Sequence, residues 1–291
     1  MVAALRLKEP LPLIYPKYLS SLKVLSKELL SLLPSEVKEN PLGTKFKNNT
    51  LITKFNELGR FTGLIYMAEN AFYETTNLIE IELPISLTNL RSSSSSAQCN
   101  CFYKSGIVEI DLKNVVTVGT GSFYACPNLL RIKAKKVQNI RSELCRNAPK
   151  ISRIILPSLR DDRTDYISAN LAYGANRLSL VDIGPNLKTI GTYIRYKNNP
   201  EYGGSWTNTT VVIRSKNFTI NRLTFQGCYR TYCTEEMLSY LTNSSNNGHT
   251  YNATYVIGGE QWIAQFGSSD PYANLTQEEY DYYYKDMVEG E

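Results

Sequence analysis

The chain has 291 residues, of which 42% are hydrophobic and 20% charged, with a net charge of +5. This length suits one or two ordinary domains or one extended repeat array, with enough apolar residues for a continuous core. The mild charge argues against a nucleic-acid partner, because such proteins gather positive charge on one face; here the basic cluster is only Lys133, Lys135 and Lys136. Tyrosine is the unusual component, 21 residues against 9 Phe and 2 Trp. Its apolar ring and polar tip suit half-exposed contact surfaces, or equally the edges of a repeat array.

The first 18 residues do not read as a secretion signal, since Pro10, Pro12 and Pro16 interrupt the apolar run. No segment reaches the roughly 18 apolar residues of a membrane span, so no membrane insertion is expected. A protein kept in the cytoplasm or released by lysis is expected instead. Residues 15–33 read as an amphipathic helix stopped by Pro34. Leu22, Leu25, Leu29 and Leu32 form its apolar stripe, which packs either on the first repeat as a cap or on a second copy as an assembly device. Residues 36–60, containing Pro, Gly and Asn, read as a linker, so residues 1–60 are expected to form a helical cap and linker.

Five segments then superpose: AFYETTNLIEIELP at 71–84, CFYKSGIVEIDLKN at 101–114, SFYACPNLLRIKAK at 122–135, LCRNAPKISRIILP at 144–157 and LAYGANRLSLVDIG at 171–184. Each passes from an apolar pair through a turn-like stretch into a short alternating strand. An apolar residue stands five places before the aromatic position: Met67 before Phe72, Val118 before Phe123, Ile140 before Cys145 and Ile167 before Ala172. A weaker sixth copy reads Ile220, Phe225, Cys228. The strand centres Ile81, Ile110, Ile132, Ile154 and Val181 lie 29, 22, 22 and 27 residues apart, the longer steps holding insertions such as Ser92–Ser96. A unit this small cannot bury its apolar side alone, so neighbours stack in a parallel sheet at roughly 4.8 Å spacing. Alternation turns Ile79, Ile81 and Leu83 to one face, as it does Val108, Ile110 and Leu112, and Leu130, Ile132 and Ala134.

The pattern apolar-x4-Phe-x2-Cys-x2-Leu-x2-Ile-x-Leu-Pro resembles the repeat of BspA-type leucine-rich-repeat proteins. It is carried best by Phe123, Cys126, Leu129 and Ile132, in part by Phe225 and Cys228, and without the cysteine by Phe72, Leu78, Ile81, Leu83 and Pro84. The resemblance covers residues 61–260. It implies an α/β-type leucine-rich-repeat solenoid with its strands in one sheet and helical segments capping both ends. It also implies that Cys126 and Cys228 are buried fillers, and it brings no catalytic residues. Such repeats occur in gut and oral bacteria, parasitic protists and phages of gut bacteria. The expected divisions are 1–60, a solenoid at 61–230 and a C-terminal helix–strand–helix cap at 231–291. In that cap Thr234 stands as an N-cap, ATYVI at 253–257 as a strand, and Thr276 with Glu279 as a capping box. The acidic end (Glu278, Glu279, Asp281, Asp286, Glu289 and Glu291) reads as a solvated face.

Chemistry is scarce. The one histidine, His249, sits in an Asn/Gly-rich loop, which removes most nucleophile–base and His–metal arrangements. Cys99 and Cys101 are too close for an easy mutual bridge, and with Cys228 and Cys233 they have the wrong spacing for a common zinc module. Thiols are therefore expected, with no metal, cofactor or catalytic site. Gly119-x-Gly121 reads as a turn. Asp161 and Asp162, beside Arg160 and Arg163, read as a salt-bridged loop. The Asn-x-Ser/Thr triplets read as ordinary surface.

The outward strand residues form the candidate binding face: Glu80, Glu82, Glu109 and Asp111, then Arg131, Lys133, Arg153 and Ile155, then Leu180 and Asp182. This ribbon changes sign along the array, from acidic to basic. It suits docking to a protein of complementary charge or to an antiparallel second copy, or simply keeps the sheet soluble. Two settings follow for a non-enzymatic binding module. One is a phage virion component of tail, baseplate or fibre that contacts other virion proteins or a host-surface protein or glycan. The other is an adhesin or scaffold on a cell surface.

Overall fold

Strands of two to four residues gain little alone, and the chain makes them by coiling so that each coil lends its neighbours a hydrogen-bonding edge. The structure, a computed structural model, describes residues 46–60, 64–67, 69–90, 99–160, 171–190, 209–220, 228–243 and 253–288. In chain order the strands are β1 (Lys54–Phe55), β2 (Glu80–Ile81), β3 (Asn89–Leu90), β4 (Glu109–Asp111), β5 (Thr117–Val118), β6 (Arg131–Lys133) and β7 (Asn139–Ile140). There follow β8 (Arg153–Leu156), β9 (Leu180–Ile183), β10 (Thr189–Ile190), β11 (Thr210–Ile213), β12 (Thr219–Ile220), β13 (Arg230–Cys233) and β14 (Ala253–Val256). The helices are α1 (Glu235–Thr242), α2 (Glu260–Phe266), α3 (Gln277–Tyr283) and α4 (Lys285–Val288).

All strand pairs are parallel, as the repeat requires. The main wall runs from β1–β2 through β4–β6 to β8, β9, β11, β13 and β14. Its register sets Ile110 against Ile132 and Ile154 against Val181, then Val181 against Val211 and Val211 against Thr231. The single-sheet expectation is corrected by a second wall of shorter strands, β3–β5–β7 and β10–β12. A third wall replaces the helix of an α/β-type repeat with tight turns. There Phe72 N–H donates to Cys101 O (2.7 Å), Phe102 N–H to Ser122 O (2.9 Å) and Phe123 N–H to Leu144 O (2.9 Å). Backbone donors spent between coils are lost to any i→i−4 ladder. Left-handed residues at Glu74, Lys104, Ala125, Asn147 and Gly174 end each turn.

The core lies between the walls. Phe72, Phe102 and Phe123 stack with near-parallel rings, centroids 5.3 and 5.5 Å apart, and Met67, Val118 and Ile140 are buried, as their spacing predicts. Cys126 and Cys228 are buried fillers, and the Cys126 thiol donates to Phe102 O at 2.9 Å. Thr75, in the cysteine position of its coil, satisfies its hydroxyl on Phe72 O at 2.8 Å. Burial pushes the Cys126 thiol up, and that of Cys145 up to about 12. At Gly184 the preceding coil passes so close that a Cβ would strike the backbone carbonyl of Pro157.

Several expectations are corrected. The solenoid starts before residue 61, because β1, which lies inside the expected linker, pairs with β2 of the first repeat. It also continues past 230 through β13 and β14. Ile79 and Leu130 are 45% and 49% exposed; they precede their strands at a corner, where strand alternation has not begun. Cys99 and Cys101 are bridged, since the turn between them holds their Cα atoms 5.2 Å apart, inside the range a disulfide needs. The helix at 15–33 with Leu22, Leu25, Leu29 and Leu32, and Ile167, Phe225, His249, Asp161 and Asp162, lie outside the described residues.

Candidate functional site, the outer face of the main wall

The main wall's outward positions behave differently in its two halves. In the first half the three glutamates are paired across coils: Glu80 with Lys54 (2.6 Å), Glu82 with Lys113 (2.8 Å), and Glu109 with Lys133 (3.1 Å) and Arg131 (3.9 Å). Their side chains are 27–59% exposed, so each pair contributes on the order of 0–1 kcal/mol. Glu80 is held below the usual carboxylate range by its hydrogen bonds from Lys54 and Asn56. The expected acidic half is therefore closer to neutral in effect.

In the second half the outward positions Ile155, Leu180, Asp182, Thr210, Val212 and Tyr232 are buried, and Arg153 and Arg230 are half-buried. What buries them is the end of the chain. After β14 it turns at Gly258, which has a left-handed backbone, forms α2, and returns across the sheet as α3 and α4. Trp262 of α2 packs edge-on against Tyr232 at 5.1 Å between centroids, in a cluster with Leu180 and Val212. Tyr283 and Tyr284 cover Ile155. Thr276 caps α3 by accepting from Glu279 N–H, while the Glu279 carboxylate accepts from Thr276 N–H, completing the expected capping box. Thr234 sits at the N-cap of α1 with extended backbone but does not cap through its side chain.

The acidic end is in part a docking segment: Glu278, Glu279 and Asp286 reach the sheet, Asp281 is exposed as expected, and Glu289 and Glu291 lie outside the described residues. Arg153 donates to both oxygens of Glu279 at 2.7 Å and to Asn274 O at 2.8 Å. Arg131 pairs with Glu278 at 3.2 Å and Lys135 with Asp286 at 2.7 Å. Tyr282 hydroxyl donates to Asp111 at 3.0 Å, and Tyr283 hydroxyl to Ile132 O at 3.3 Å. Of the basic face expected to be open, Arg153 is half-buried and Ile155 buried beneath this cover. Arg131 and Lys133 lie at its margin, where Lys133 reaches over the Tyr282 ring.

At the centre is a buried polar network. Arg214, its side chain 6% exposed, donates to both oxygens of Asp182, which is fully buried, and to Asn274 Oδ1 and Pro271 O. The amide of Asn274 and the hydroxyl of Tyr284 donate to the same carboxylate. Burial alone would lower the Arg214 pKa, but the Asp182 carboxylate more than offsets it and holds the guanidinium firmly charged. Burial, reinforced by Asp182, pushes Tyr284 well up, and burial with Asp111 does the same to Tyr282.

These shifts carry a sign. The folded pKa lies above the unfolded value of about 10, so the fold favours the neutral phenol. That stabilisation is whole below pH 10 and is lost as pH rises above it. In a spectrophotometric titration Tyr282, Tyr283 and Tyr284 should ionise only as the cover releases, after the exposed tyrosines. A single smooth titration near pH 10 with the fold intact would contradict the burial.

Among the described residues no group of His, Cys, Asp or Glu is placed to hold a metal ion, and no helix is long and apolar enough to cross a membrane. Parallel coils with a 20–30-residue period, walls of two- to four-residue strands and a buried Phe/Cys column define a leucine-rich-repeat solenoid. The model for the BspA-type leucine-rich repeat region matches in six copies over residues 44–161 and 95–232, and the chain belongs to that family. Its members are protein-interaction or surface modules. No curated protein matches. Among solved structures the chain is similar to a leucine-rich repeat protein from Bacteroides ovatus, at 14% identity and a TM-score of 0.34. The match covers 74% of this chain and 63% of that protein.

Proposed function

We propose that the chain is a non-enzymatic protein-interaction module whose contact surface is the uncovered first half of the main wall. The observation that carries this reading is the row of exposed apolar residues beside the paired charges. Ile79 and Leu130 flank Val108 on adjoining coils, next to Glu80, Glu109 and Arg131. Apolar anchors rimmed by charge are the usual composition of a contact surface. An antiparallel second copy is disfavoured on this face, because the basic half it would need is occupied by the chain's own α3 and α4. The Leu22–Leu32 stripe is the proposed route to self-association.

A cell-surface adhesin or scaffold is the setting the family match supports. The virion setting rests on the character of the sequence alone. Affinity capture from a bacterial surface fraction, with the full chain as bait, tests the face. The Ile79→Lys/Leu130→Lys variant should fold as the parent does and lose captured partner at least tenfold, about 1.4 kcal/mol. Equal capture by both would refute the assignment.

A further inference from the structure

A groove of about 1140 Å³ runs between the cover and the loops that follow β9, β11, β13 and β14. Its two walls differ in chemistry. The cover contributes Tyr272, Met287 and Val288, an apolar wall whose one ring is partly exposed and is packed by Arg214 at 4.2 Å and Tyr284 at 4.9 Å. The loops opposite contribute Asn186 and Asn217, exposed residues whose side-chain amides carry two donors and an acceptor each.

Charge narrows the ligand. Arg214 lines the groove, but its guanidinium is committed to Asp182, Asn274 and Pro271 O. Lys216 on the rim is paired with Glu236 at 3.4 Å; Lys188 is a second exposed rim cation, and Glu235 lines the same groove. No buried charge is left to anchor an anion, and the rim charges nearly balance. The strands present their C-terminal ends to the groove, so it has no ladder of backbone donors and acceptors for an extended peptide. What remains is an amide wall facing an aromatic and aliphatic wall. That arrangement matches a molecule with hydroxyl groups on its edges and C–H groups on its faces. We propose that the groove binds a neutral oligosaccharide, a second binding activity independent of the open face.

The test is saturation-transfer NMR on the full chain with neutral hexasaccharides of glucose, mannose and xylose, beside a hexagalacturonate. At least one neutral sugar should bind. Its affinity should fall about tenfold in the Asn186→Ala/Asn217→Ala variant, whose circular dichroism should be unchanged. The Ile79→Lys/Leu130→Lys variant should bind it as the parent does, which separates this groove from the face proposed above. Absence of binding by all three neutral sugars would overturn the proposal. So would equal binding by the Asn variant, or binding confined to the hexagalacturonate.

Discussion

Replacing Asp182 by alanine is expected to destabilise the chain by about 3–5 kcal/mol, measured by urea unfolding. The carboxylate accepts from Arg214, Asn274 and Tyr284, and both Asp182 and Arg214 are withdrawn from water. Without it a guanidinium is left buried among the aromatic rings of Tyr272 and Tyr284, 4.2 and 5.1 Å from their centroids, with its charge uncompensated. Removing both charges, as in Asp182→Leu/Arg214→Met, should be far less damaging, because the cost lies in the orphaned ion more than in the missing pair. Equal loss in the single and double variants would place the cost in the missing pair and contradict the orphaned-ion account.

Phe102→Ala is expected to cost about 3–5 kcal/mol, through lost burial and a cavity in a column that has stacked neighbours on both sides. In a solenoid each coil is stabilised by its neighbours. The defect should therefore weaken the coils of Phe72 and Phe123 first and leave the Asp182 network in place. Hydrogen exchange resolved by segment checks this: protection should fall around residues 72, 102 and 123, and the 253–288 segment should keep its own. Uniform loss of protection across the chain would show that the solenoid unfolds as one unit.

Much of the solenoid was legible because its code is local. Phe72 and Ile81, like Phe123 and Ile132, keep the same nine-residue offset within their units, and burial of a repeated face has one economical solution. The second and third walls were harder to read. Strands such as Thr117–Val118 are two residues long, too short for alternation to show. Inter-coil bonds from the turns leave no trace in residue type, beyond an occasional glycine such as Gly174.

The cover was misread because its partner lies some 120–150 residues away. Seen alone, Glu278, Glu279 and Asp286 look like any solvated charge run. Two signals did point to it. Ile155, Leu180 and Val212 stand at outward positions where an uncovered sheet would carry polar residues. The basic run Arg131, Lys133, Lys135 also matches the acidic one at 278–286 in charge and reach. Asp182 between Val181 and Ile183 is a third hint, since an acid inside an apolar strand needs a partner.

Zero-length carbodiimide cross-linking, read by mass spectrometry, tests most directly the claim that the end of the chain folds back over its own sheet. Such cross-links join an amine and a carboxylate only where the two are in contact. The structure requires a link between Lys135 and Asp286, at 2.7 Å, beside coil-to-coil links Lys54–Glu80 at 2.6 Å and Lys113–Glu82 at 2.8 Å. Recovery of all three supports both the stacked coils and the cover. Recovery of the two coil links, with Asp286 never joined to Lys135, would leave the solenoid standing and contradict the covered face.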